Sequence, residues 1–227
     1  YCTDSGFDTC RFDYPATHKF VLGAFKWFAN HNPASNPNKM SSYSGGKGNY
    51  FINSVIHRSN APIAFDSDGV LIENSLFSDI EWQVNSNGGS GSVMFGKNAI
   101  FRRNTVQRGG NCEGIRAIDN GSVIELNRVT DSGNLQHDGS AINVGTTKHA
   151  GTRVAYNWSH DTNGQGIRFD YHGERVFRPD GELYGDGVFM NNVCWNTLTN
   201  QIKGDRHLVL NNTVIYSSSY PVPEEET

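Results

Sequence analysis

Arg116, Arg168 and Lys203 each follow an isoleucine, in the runs GIRA, GIRFD and QIKGD. Side chains of an extended chain alternate between faces, so with Ile167 and Phe169 inward, Arg168 and Asp170 point out. The same phase turns Asn143 outward in AINVG, and Lys203 with Asp205 outward in QIKGD. Upstream equivalents are Ala64 with Asp66 and Met94 with Gly96. If these runs stack, one outward column reads Ala64, Met94, Arg116, Asn143, Arg168, Lys203. Asp170 and Asp205 lie beside it, with Asp119 close by. His137-Asp138 and His160-Asp161 fall in the turns that lead into these runs, and His207 follows Asp205. A lone charge on a solvent-facing strand needs no explanation. Cations stacked one above another repel, so the group needs an anionic partner, either protein carboxylates or a ligand.

What would stack them is a repeat. The runs YFINSVI, VLIENSLF, AIFRRNTV, VIELNRV, RVAYNWS, VFMNNVC and LVLNNTVI align on Asn53, Asn74, Asn104, Asn127, Asn157, Asn192 and Asn212. Successive spacings of 21, 30, 23, 30, 35 and 20 residues mark stacked supersecondary units. Each unit holds three short runs separated by turns. A sharp turn often forces one residue toward left-handed φ/ψ, which Asn tolerates best after Gly. Layers about 4.8 Å apart would then let the amides bond along the column. The apolar positions are Val, Ile and Phe without LxxLxL spacing, which argues against a leucine-rich solenoid.

With that Asn column the chain resembles the right-handed, single-stranded parallel β-helix of the pectin-lyase-like superfamily. The resemblance spans roughly residues 49–218 and implies an all-β fold of about seven coils with an Asn ladder. It also resembles polysaccharide lyases, in which a sugar chain lies along the outer face of one sheet. There, cations or Ca²⁺ neutralise a uronate carboxylate and a base removes the adjacent C5 proton, starting β-elimination. On this likeness Arg168 and Arg116 neutralise the carboxylate. Lys203, His137 or His160 is the base, and Tyr171 is a proton donor to the leaving oxygen. Asn143, Asp170, Asp205, His172 and His207 complete the substrate-binding set. Asp170 and Asp205 are the only suitably adjacent acids for Ca²⁺, and the same pair would serve a glycoside hydrolase. Dispersed His and Cys residues argue against zinc.

The rest of the chain bounds these expectations. A net charge of −4 argues against nonspecific nucleic-acid binding, and no run is long enough to cross a bilayer. The start at Tyr1 without an apolar leader fits a processed secreted, extracellular or periplasmic chain. Cys2 and Cys10 flank a polar segment that suits a small disulfide loop, while Cys112 and Cys194 suit buried thiols. Asn120-Gly-Ser, Asn157-Trp-Ser and Asn211-Asn-Thr are glycosylation sequons. Residues 1–48 fall outside the repeat and are expected to cap it, with His18–Asn30 reading either as an amphipathic helix or as an irregular first coil. The inserts Gly145–Gly151 and His172–Asp186 would project from one edge and wall a groove. The tail 219–227 is too short and polar to cap the stack, which invites end-to-end self-association or continuation into a further region. Two functions follow: an enzyme, lyase or related epimerase, on an acidic polysaccharide, or a non-catalytic structural or adhesive module. A trimeric fibre is a third.

Overall fold

The computed structural model describes residues 3–15, 20–22, 46–65, 67–82, 91–111, 113–136, 138–145, 149–170 and 185–215. These residues are all-β, with no helix among them. They form three parallel sheets, of eight, eight and seven strands. The chain visits the sheets in strict rotation, so each strand pairs with strands one layer above and below. In one layer, for example, Val123–Glu125 lies in the first sheet, Arg128–Thr130 in the second and Ser140–Val144 in the third. The arrangement is consistent with a β-helix-like solenoid.

Inward side chains stack like with like. Phe51, Ile72, Phe101, Ile124, Val154 and Phe189 are in register in the first sheet. Phe95 and Phe169 meet them from the third sheet, the Phe95 and Phe101 rings stacking 5.1 Å apart. Burial of such a side chain is worth about 1.5–3 kcal/mol.

The turn between the first and second sheets departs from the sequence alignment. Asn104, Asn127, Asn157, Asn192 and Asn212 are the inward residues there. Each Oδ1 accepts a backbone N–H from the preceding layer, at 2.9–3.1 Å for Asn104, Asn127 and Asn157. Each Nδ2 donates to an inner carbonyl, as Asn157 does to Ile124 O at 2.9 Å. The side chain therefore satisfies backbone groups that the dry turn would otherwise leave orphaned. The left-handed residue lies one place earlier: Arg103, Leu126 and Tyr156 have φ of 54°, 58° and 58°. Asn53 and Asn74 occupy this left-handed place (φ 51° and 49°), with Ser54 and Ser75 inside in their layers. Asn53 and Asn74 form a separate, exposed amide chain, Asn74 Nδ2 donating to Asn53 Oδ1 at 2.8 Å. The single Asn column thus splits into an inner and an outer one.

The sheets also begin earlier than the repeat suggests. Gly6–Asp8, Arg11–Asp13 and Phe20–Leu22 pair in parallel with the strands of the next layer. Over Phe20–Leu22 the helical reading is replaced by a strand. The remainder of that segment lies outside the described residues. Cys10 is a free thiol at the start of the inner turn column, donating to Asp8 O at 3.3 Å, and not half of a disulfide. Cys2 and Cys112 lie outside the described residues. Cys194 is a buried thiol whose pKa desolvation pushes up to about 11.

Candidate functional site on the outer face of the third sheet

Alternation within the third sheet sends every second side chain away from the core, and the parallel register aligns them. Ala64, Met94, Arg116, Asn143 and Arg168 stand across from one another in that order. The sixth position is Gln201, where the sequence suggested Lys203. Matching GIRFD to QIKGD pairs Ile167 with Ile202, whereas Ile202 pairs with Phe169. A slip of two residues keeps every side chain on its face, so alternation alone cannot detect it. Lys203 moves into the neighbouring column, with its Nζ 3.2 Å from Asp170 Oδ1. Asp205 moves beyond the sheet, where it pairs with Gly185.

The column is not the open stripe expected of a solvent-facing strand. Asn143 is fully buried, and Arg116, Glu113 and Asp170 are each under one-tenth exposed. The cations have found protein carboxylates. Arg116 Nη1 donates to Glu113 Oε2 at 3.2 Å. Arg168 contacts Asp138 at 3.0 Å and Asp170 at 2.9 Å. Burial works against the Arg168 charge, but Asp170 and Asp138 outweigh it and its pKa is raised.

What remains unsatisfied on this face is polar and consecutive. Both amide atoms of Asn143, Arg168 Nε and Gln201 Oε1 are buried without a hydrogen-bond partner among the described residues. They belong to three successive rungs. Gln165 Oε1, at the start of the same strand as Arg168, is a fifth such atom. Buried polar atoms are nearly always paired, so a run of unpaired ones needs an explanation.

Glu113 is the residue that the sequence reading missed. It lies in Glu113–Ala117, beside Arg116, and is almost wholly buried. Desolvation pushes its carboxyl up to about 7, although Arg116 and Arg168 pull the other way. The signal was present as a carboxylate three residues before Arg116 in EGIR, but the alternation argument was anchored on Ile115 and Arg116.

Two predicted residues lie elsewhere. His160 ends Trp158–His160 in the second sheet, across from Thr130 and Trp195, so it is not on the face that carries Arg168. His207 closes a turn: its Nδ1 accepts from Gly187 N at 3.1 Å and its Nε2 lies 2.9 Å from Lys203 O. Its ring packs edge-on against Phe169, 5.1 Å away. His137, Tyr171 and His172, with residues 146–148 of the first projecting insert and 172–184 of the second, lie outside the described residues.

The Ca²⁺ expectation does not fit the geometry. Asp170 Oδ1 already faces Arg168 and Lys203, and Asp205 is not its neighbour across the sheet. A dication would compete with two fixed cations for one oxygen. Among the described residues no group of three His, Cys, Asp or Glu side chains is arranged to hold a metal. No helix among them is long and apolar enough to cross a membrane. A scan of protein-family models and a search of curated proteins return no match to this chain.

Proposed function

We propose that the chain is a secreted, carbohydrate-active β-helix of the pectin-lyase-like kind, acting on an acidic polysaccharide by β-elimination or by the related epimerisation. The observation that carries this reading is the row of buried, unpaired polar atoms on the Asn143, Arg168 and Gln201 rungs. Asn143 Nδ2 and Arg168 Nε are two donors for a uronate carboxylate, and Arg116 adds charge from the next rung. Neutralising that carboxylate lowers the cost of removing the C5 proton beside it. Glu113, poised to hold or release a proton near neutral pH, suits the transfer better than His160 on the second sheet. Lys203, bound to Asp170, supplies charge at the edge of the site.

The test is the ultraviolet absorbance of an unsaturated uronate when the protein meets alginate, pectate or a glycosaminoglycan. Deuterium uptake at C5 would report epimerisation. Arg168→Ala should lower kcat roughly 10²–10³-fold, as expected for one preorganised donor. Neither signal with any acidic glycan would leave the non-catalytic reading.

A further inference from the structure

The second sheet carries a feature that the reaction above does not use. Trp158 and Tyr156 are 57% and 46% exposed, although each sits in a rigid layer of the stack. Trp158 is held from the side by Trp195, whose ring meets it edge-to-face with centroids 6.1 Å apart. Trp195 in turn lies flat on His160, at 4.1 Å and 5°.

His160 is fixed by hydrogen bonds. Its Nε2 accepts from Arg128 Nε at 3.0 Å, and its Nδ1 lies 2.6 Å from Asp161 Oδ2. An Nε2 that accepts leaves the ring proton on Nδ1, directed to Asp161. Asn196 Nδ2 closes the chain on Asp161 Oδ1 at 2.6 Å. Arg128 stands directly across from Trp158 in the register. A connected polar network therefore positions an indole whose face is left to solvent.

We propose that Trp158, with Trp195 at its side, is a platform for a neutral saccharide ring, separate from the third-sheet face and independent of the reaction assigned to it. An aromatic ring with one apolar face and a polar surround suits the C–H face of a pyranose. The surround pairs the Arg128 guanidinium with the Asp161 carboxylate through His160, and Arg153, over the nearby Tyr156 ring, with Glu125, so it balances in charge and matches vicinal hydroxyls better than an anionic group. Layers about 4.8 Å apart give a footing of about one pyranose per rung. The exposed apolar set is also too small for a second protein. Three or four side chains fall far short of the roughly 20–30 residues a side of a stable protein interface.

Tryptophan fluorescence and calorimetry with neutral gluco-, manno- and xylo-hexasaccharides, and with oligogalacturonate for comparison, test this. The Arg168→Ala variant, with its third-sheet site impaired, should bind a neutral hexasaccharide as the parent does. Trp158→Ala should weaken that binding roughly tenfold or more, and Trp158→Phe should restore part of it. Trp82→Ala, at an exposed indole elsewhere, should change nothing. Three results would each overturn the platform: no binding of any neutral hexasaccharide, binding that survives in Trp158→Ala, or a Trp158-dependent self-association in sedimentation without sugar binding.

Discussion

Glu113 and His149 show how burial, as the largest influence on each, tunes single groups in opposite directions. Desolvation raises Glu113 from 4.5 to about 7. It lowers His149 from 6.5 to about 4, helped by His207, 5.1 Å away. Folding thus favours the proton on Glu113 and disfavours it on His149. The Glu113 contribution is full below pH 4.5 and is lost as pH rises to about 7. The His149 contribution is full above pH 6.5 and is lost as pH falls to about 4. Through the weakly acidic range the two slopes oppose each other. Replacing Glu113 with Gln removes one of them. In urea unfolding followed across this range, Glu113→Gln should gain on the parent as pH rises from 4.5 to 7, by on the order of 2 kcal/mol. A difference that stays constant with pH would mean that Glu113 ionises normally in the fold. Which residues face outward was legible from alternation, and Arg116, Asn143 and Arg168 do share one column. That this column is buried was not legible, because a strand read by itself does not show what covers it.

At the level of the turn, the inner Asn residues replace missing backbone partners. Asn157 Oδ1 accepts both the backbone N–H and the Nδ2 of Asn127, at 3.1 and 3.0 Å. Its own Nδ2 serves Ile124 O and Asn192 Oδ1. Asn157→Ala would strand buried groups on two neighbouring layers and should cost about 3 kcal/mol in chemical denaturation. Asn157→Ser should recover part of this, because Ser75 Oγ already accepts the Ser54 N–H at 3.1 Å in an earlier layer. A loss of only a few tenths would show that water or a shifted turn can substitute. The repeat length revealed this turn, but not which of two adjacent positions was inside. Runs such as Asn191–Asn192 and Asn211–Asn212 offer Asn at both, whereas Asn53–Ser54 and Asn74–Ser75 offer it only at the outer one. A column aligned on Asn identity therefore slides by one residue, although the two places obey different rules. The outer place selects for left-handed φ, and the inner one for an acceptor and a donor on one short side chain.

Across the whole molecule, variation in layer length is confined to connections. Layers of 23, 30 and 35 residues in succession leave the same strand registers on either side. The rotation through three sheets was legible from spacing, and so was the parallel pairing. The layer in front of the repeat was not, because Gly6–Asp8 and Arg11–Asp13 carry Cys10 in the turn where later layers carry Ser or Asn.

The inner backbone-to-amide bonds all run one way, each Asn Oδ1 accepting an N–H from the layer before it, while the Nδ2 groups donate back to carbonyls of that layer. A whole period can therefore be excised with the layers on either side still matched to each other. Removing residues 105–127 joins Asn104 to Arg128, the partner of Thr105, and hands the Asn104 N–H directly to Asn157. This shortened protein should keep its β-rich circular dichroism and unfold cooperatively. Removing one residue fewer leaves an extra residue in the tight turn that Asn104 would occupy, and should lower stability at that junction while the layers beyond it keep their register.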